Sequence, residues 1–75
     1  MQDQPSEARA ALLAFGARVR ALRQEAGLTQ EQLAHAAGLH RAEVGFIERA
    51  EREPGITIVI PLATVLGVNP GELFT

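Results

Sequence analysis

The chain has 75 residues, no cysteine and a formal net charge of −2 at neutral pH. This length suits a single domain, and the lack of cysteine excludes disulfides and thiolate metal sites. All seven cationic side chains are arginines, so any affinity for nucleic acid must depend on where these side chains lie. A domain this small has a thin core, and we therefore expect a second copy of the chain to contribute to its stability.

Groups that could carry catalysis or bind a metal are sparse. His35 and His40 have no partners at metal-ligand spacing, and the one serine, Ser6, lies near the N-terminus. We therefore predict no catalytic residues, no metal, no cofactor and no small-molecule effector. No apolar run is long enough for a membrane span and the N-terminus is polar, which predicts a cytoplasmic protein without membrane contact.

Residues 1–5 are predicted to form a disordered tail, and residues 6–75 a single domain. Ser6 is a candidate N-cap for a first helix that continues to Ala26. The apolar residues of this helix recur at spacings of three and four, which predicts one buried stripe: Ala8, Leu12, Phe15, Val19, Leu22 and Ala26. Gly27 is expected to end the helix.

Two short helices are predicted next. Thr29 and Gln32 have the spacing of a capping box that starts the second helix, and Gly38 ends it. A third helix is predicted from about Arg41 to Arg49. The residues predicted to face inward are Leu33, Ala34, Ala37, Val44 and Ile47.

Residues 56–66 are ambiguous, because their β-branched side chains taken alone resemble a strand. Pro61 and the lack of a partner strand favour a helix instead, with Thr57 as N-cap and Pro61 within its first turns. Gly67 is expected to end this helix. The residues that predict a last short helix are Asn69, Pro70, Glu72, Leu73 and Phe74.

Residues 30–49 have the internal pattern of a helix-turn-helix motif. Ala34 is small where the two helices would cross, and Gly38 permits a tight turn. The apolar residues at the required spacings are Leu33, Ala37, Leu39, Val44 and Ile47. Such a motif projects its second helix into a DNA major groove, whereas an ordinary three-helix bundle is the alternative reading.

The run LRQEAGLTQEQLAHAAGLHRAEVGFIERAEREP, followed by LATVLGVNPGELF, resembles the Cro and phage-repressor type (XRE family) of DNA-binding domain. The resemblance covers residues 15–74. The sequence around the third helix is also similar to that of the controller proteins of restriction–modification operons. It implies an all-α, compact five-helix repressor-like domain that binds double-stranded DNA as a homodimer on a palindromic operator.

Two positions depart from the family pattern. Family members usually have glycine where this chain has Ala50. Because a left-handed alanine is strained, we expect the third helix to continue through Glu51 instead. Pro61 stands where a helix-forming residue is usual, which leaves the start of the fourth helix open.

The third helix carries the candidates for base recognition. Arg41 lies at the N-terminal end of this helix and is expected to contact guanine, with a phosphate contact as the alternative. Ala42 could touch a thymine methyl group. Gly45 could admit DNA closely or only ease helix packing, and Phe46 could contact DNA or belong to the core.

Other residues are candidates for the DNA backbone or for support. The resemblance implies that Gln30 holds a phosphate at the start of the second helix, and Thr29 is a weaker candidate because capping already accounts for it. His40 could touch DNA or cap the third helix. Arg49 and Arg52 could hold phosphates across the groove.

Three further charged residues, Glu43, Arg23 and Glu48, are expected to have structural roles. Glu43 is expected to offset the helix dipole rather than to accept from cytosine. The resemblance implies that Arg23 and Glu48 bridge the first helix to the third.

The segment from Ile56 to Leu66 contains no charged residue. An apolar helix needs cover on both sides, and in so small a chain a second copy is the simplest cover. The residues predicted for a two-fold interface are Ile58, Val59, Val65, Val68 and Phe74. An antitoxin-type regulator, or a protein-interaction module of the same fold, remains the alternative function.

Overall fold

The computed structural model describes residues 6–74, with the side chain of Ser6 left aside. Over this range the chain forms four α-helices and a 3-10 turn, and no strand. The elements are α1 (Ser6–Glu25), α2 (Gln30–Ala37), α3 (Arg41–Glu48), α4 (Ile56–Leu66) and the 3-10 turn (Pro70–Phe74). The all-α prediction is confirmed, but the fifth helix is a 3-10 turn. The predicted tail at residues 1–5 lies outside the described residues.

The buried residues of α1 lie in the middle of the helix. Phe15 and Val19 belong to the core, whereas Ala8 and Ala26, which the stripe had included, are exposed. The helix ends at Glu25, and Gly27 takes the left-handed φ of 74° that the sequence predicts. The turn closes when Leu28 N–H donates to the Arg23 carbonyl at 3.1 Å.

The core lies between α1, the α2–α3 pair and α4. Its fully buried side chains come from every element: Leu33, Ile47, Leu62, Leu73, Val19 and Val44. Apolar residues at intervals of three and four supply it from each helix, so the burial of these side chains holds the helices together.

Gly16 allows an unusually close approach between α1 and the end of α3. A Cβ at this position would lie 2.5 Å from the Ile47 carbonyl oxygen and 2.8 Å from that of Glu48. Both atoms belong to the backbone, so they cannot be moved by a change of rotamer. No local sequence pattern marks this role of Gly16, because the Ile47 and Glu48 carbonyls that approach it are distant in sequence.

Both helices of the central pair begin with capping boxes. The Gln32 N–H donates to Thr29 Oγ1 at 3.0 Å, and the Thr29 N–H donates to Gln32 Oε1 at 2.8 Å, as predicted. At α3 the Ala42 N–H donates to His40 Nδ1 at 3.2 Å, and the His40 N–H donates to Glu43 Oε1 at 3.1 Å. These bonds satisfy backbone donors that no helical carbonyl reaches.

The prediction that α3 continues through Glu51 is wrong. The helix ends at Glu48, and Ala50 has a left-handed φ of 59°. The Glu51 N–H donates to the Phe46 carbonyl at 2.8 Å. This bond closes the kind of helix end in which the left-handed residue is usually glycine. Arg9 Nη1 donates to the Ala50 carbonyl at 2.9 Å, and the Ala50 side chain is buried, so tertiary contacts offset the strain.

The start of α4 also differs from the prediction. Gly55 is the N-cap rather than Thr57, and no side chain caps this helix. Pro61 is therefore inside the helix, beyond its first turn, where the chain lacks one backbone donor. Gly67 ends α4 with a φ of 73°, as predicted.

We expect Gly16→Ala to destabilise the fold by about 2 kcal/mol, because the added methyl group meets backbone oxygens of α3. A domain of this size would then melt about 10 °C lower in a thermal circular-dichroism scan. Gly71→Ala is the matched control, since a Cβ there meets no atom within 4 Å. Equal melting temperatures for the two variants would contradict the close approach.

Candidate nucleic-acid interface

The α2–α3 pair has the interior that a helix-turn-helix requires. Ala34 and Leu33 of α2 and Val44 of α3 are fully buried where the two helices meet. Gly38 turns the chain between them with a φ of 72°. The buried side chains and the tight turn hold α3 against α2 and leave the other side of α3 at the surface of the protein.

A partly buried polar network joins α3 to the two preceding helices. Arg23 Nε donates to Glu48 Oε2 at 2.7 Å, and Arg23 Nη2 donates to Glu48 Oε1 at 3.1 Å. Gln30 Nε2 donates to the same Oε1 at 3.0 Å. The remaining Arg23 Nη1 donates to the Leu28 carbonyl at 2.8 Å. One carboxylate on α3 thus receives donors from α1 and α2.

This network is nearly closed to solvent. The side chains of Arg23 and Glu48 are 11% and 3% exposed. The hydrogen bond to Glu48 raises the pKa of Arg23 above its ordinary value, although burial opposes the shift. Arg23 therefore stays charged, and its two-point contact with Glu48 sets the orientation of α3. The bridge that the resemblance implied is confirmed.

The N-terminal end of α3 presents Arg41 and Ala42. The side chain of Arg41 is exposed, and that of Ala42 is partly exposed. His40 precedes them, and its Nδ1 already accepts the Ala42 N–H, so capping is one role of this residue. Base contacts by Arg41 and Ala42, and a DNA contact by His40, stay predictions.

Phe46 lies outside the core, because its side chain is only half-buried and is absent from the core cluster. The guanidinium carbons of Arg49 and Arg52 lie 5.5 Å and 5.0 Å from its ring centroid. Arg49 Nη2 also lies 3.1 Å from Glu51 Oε1. The C-terminal end of α3 therefore carries two arginines gathered against one aromatic ring.

The start of α2 lies beside the same surface. Gln30 is half-buried and its amide nitrogen is bonded to Glu48, whereas Thr29 is exposed and its hydroxyl oxygen caps the helix. Gly45 of α3 is buried next to Gln30, and a Cβ there would lie 3.5 Å from Gln30 Oε1. The structure thus places Gln30 at the start of α2 beside Gly45 and Arg49 of the α3 segment.

The residues predicted for the two-fold interface differ widely in how exposed their side chains are. Val59 is 3% exposed and belongs to the core, so it offers almost no surface to a partner. The half-buried members, which also pack on the core, are Ile58, Val65 and Val68. Phe74 is 64% exposed, with its ring stacked on Phe15 at 4.9 Å between centroids.

Two large exposed residues of α4 are absent from the predicted interface. Ile56 is 65% exposed and Ile60 is 48% exposed. They lie four residues apart and so share one face of the helix. The lack of charged residues in this segment predicts an apolar helix, but only the packed structure shows which of its residues remain at the surface.

Comparison with known proteins identifies the family. The helix-turn-helix family HTH_3 matches residues 19–73. The chain belongs to this family. Its relatives are named as transcriptional regulators and restriction–modification controllers, and the coarse function follows: this is a helix-turn-helix DNA-binding regulator.

Individual relatives agree with this assignment. The chain is 42% identical to control protein C.SmaI of Serratia marcescens over 57 residues, which cover 76% of this chain and 68% of that protein. It is 41% identical to the uncharacterised HTH-type regulator YazB of Bacillus subtilis over 59 residues, covering 79% and 86% of the two chains. The crystal structure of the restriction–modification controller C.AhdI from Aeromonas hydrophila is similar with a TM-score of 0.84 and 46% identity, covering 87% and 98%.

Within residues 6–74, no helix has the length and hydropathy needed to cross a membrane. Over the same range, no three histidine or carboxylate side chains come together as metal ligands would.

We expect Glu48→Ala to lower the free energy of unfolding by about 3 kcal/mol, because Arg23 would remain buried without its carboxylate. The urea midpoint measures this loss. Replacing both partners, as Arg23→Met with Glu48→Leu, should recover most of the stability, since no uncompensated charge is then buried. A single Glu48→Ala variant as stable as the native chain would contradict the network.

Proposed function

We propose that this protein binds a palindromic DNA operator as a homodimer, with α3 of each subunit in a major groove. The observation that carries the proposal is the surface of α3: Arg41 lies at one end, the pair Arg49 and Arg52 at the other, and the buried Arg23–Glu48 contact holds the helix between them. A recognition helix requires base-reading groups near its N-terminus and phosphate contacts around it.

The distribution of charge supports DNA binding in spite of the net charge of −2. Arg41, Arg49 and Arg52 lie on or beside α3, and the positive end of the α2 dipole lies at Thr29 and Gln30. Phosphate neutralisation by such groups releases counterions, so binding should weaken steeply as salt is raised.

The exposed apolar residues of α4 support the homodimer. Ile56 and Ile60 lie on one face of a helix that carries no charged residue, and Phe74 is exposed on the C-terminal 3-10 turn. Exposed apolar area of this kind is covered at a low cost by the same surface of a second copy. Two recognition helices about 34 Å apart would then read half-sites one helical turn apart, and the operator would be a palindrome.

Selection of random duplex DNA by the purified protein, at two salt concentrations, tests the proposal. Since the chain has no tryptophan or tyrosine, its concentration is measured by far-ultraviolet absorbance. We expect an enriched palindrome that is bound more weakly at the higher salt concentration. No enrichment at either concentration would refute operator binding and favour the interaction-module or antitoxin alternative.

Arg41→Ala should weaken binding to the selected duplex and relax the preference at one base pair of each half-site. The expected loss is about 1–3 kcal/mol per bidentate guanine contact. Arg18→Ala is the control, because Arg18 Nε donates to the Glu72 carbonyl at 3.4 Å, toward the C-terminal turn rather than α3. Fluorescence anisotropy with matched and single-base variant duplexes measures the affinity and the base preference of each variant. An unchanged preference in Arg41→Ala would remove Arg41 from base recognition.

Ile60→Glu should convert the homodimer to a monomer that binds its operator much more weakly, because two charges would enter the apolar interface. Leu13→Glu on α1 is the matched control, since Leu13 and Ile60 are 49% and 48% exposed. Sedimentation equilibrium gives the oligomeric state of each variant. A dimer that survives Ile60→Glu, or that dissociates only in Leu13→Glu, would move the interface away from α4.

A further inference from the structure

Phe46 is an unusual residue on the surface of a DNA-binding helix, because its side chain is half-buried yet contributes nothing to the core. Its partners are the two arginines that follow it. The guanidinium carbon of Arg49 lies 5.5 Å from the ring centroid, and that of Arg52 lies 5.0 Å from it. Both distances are within the range of cation–π attraction.

Gly45 supplies the space that Arg49 occupies. A Cβ on Gly45 would lie 3.0 Å from Arg49 Nη1 and 3.8 Å from its guanidinium carbon. The guanidinium group therefore folds back along α3, beside Gly45 and over the ring of Phe46. Gln30 Oε1 lies 3.5 Å from the same point, so the folded side chain ends next to the start of α2.

Free arginine side chains carry large rotamer entropy, which a phosphate contact must remove. Two guanidinium groups held near one ring also repel each other, and the negative ring face offsets part of that repulsion. Glu51 adds a second restraint on Arg49 through its contact at 3.1 Å. These contacts favour one arrangement of the two guanidinium groups in the free protein.

We propose that Phe46 is a positioning residue: its ring, with the gap at Gly45, preorders Arg49 and Arg52 as one two-pronged phosphate contact. This inference rests on the proposed function and names how one edge of its DNA interface is built. In this role Phe46 acts through the arginines and reads no base, because the guanidinium groups lie over its ring. In this proposal Phe46 neither belongs to the core nor touches a base, and Gly45 provides room for the Arg49 side chain.

The decisive variant is Phe46→Leu, which keeps apolar bulk and removes the ring, outside the core. We expect its affinity for the selected duplex to fall about fivefold or more, since each exposed cation–π contact corresponds to roughly a two- to fivefold factor. The base preference and the slope of log K against log salt should stay unchanged, because the same arginines still reach the same phosphates. Phe46→Tyr, which restores an aromatic face, should recover the affinity.

A double-mutant cycle separates positioning from direct contact. In a background with Arg49→Ala and Arg52→Ala, Phe46→Leu should have no further effect, since nothing remains for the ring to position. The background itself should lower the salt slope, because phosphate contacts are lost. A change of base preference in Phe46→Leu, an equal loss in the arginine-free background, or no loss at all would each overturn the proposal.

Two measurements without DNA keep the outcomes distinct. Thermal melting of Phe46→Leu reports whether the variant folds, and we expect a melting temperature close to that of the native chain. In the free native protein, NMR ring-current shifts at the side-chain protons of Arg49 and Arg52 should disappear in Phe46→Leu. If those shifts are present but the native chain binds no duplex, the operator proposal fails while the arginine–ring cluster stands. If they are absent, the positioning role of Phe46 fails by itself.

Discussion

The contact between Arg23 and Glu48 is the constraint on which the rest of the surface depends. One carboxylate at the end of α3 accepts two hydrogen bonds from α1 and a third from Gln30 of α2. Because this group is 3% exposed, it leaves little freedom for α3 to rotate or slide. Gly16 adds a second constraint, since only a residue without a side chain lets α1 approach the last carbonyls of α3 so closely.

The position of α3 explains how an acidic protein can be suited to DNA. The arginines serve two purposes that net charge does not distinguish. Arg23 is largely enclosed and bridges two helices, whereas Arg41, Arg49 and Arg52 are exposed on one helix and the turn after it. Phe46, an aromatic residue outside the core, lies against two of the exposed arginines, Arg49 and Arg52.

The sequence predicts features that depend on neighbouring residues. Predictions from it are wrong where contacts between distant residues determine the conformation. The capping box at Thr29 follows from spacing and from the backbone donors of a helix start. Local rules exclude a left-handed Ala50, yet burial of its side chain and the hydrogen bond from Arg9 stabilise it. Likewise, burial of Val59 in its own core removes a residue that composition alone assigned to a partner. The candidate DNA-binding residues follow from the sequence and stay predictions, whereas the pairing of Arg49 and Arg52 with Phe46 is visible only in the structure.

An NMR titration of the isotope-labelled protein with its selected duplex shows most directly whether one side of the α2–α3 pair meets DNA while the Arg23–Glu48 contact stays intact. We expect large amide shifts at residues 28–31 and 40–52, and an unchanged Arg23 Nε–H resonance held by its carboxylate. Shifts concentrated on α4, or a displaced Arg23 resonance, would show that a different surface or a reoriented α3 binds the duplex.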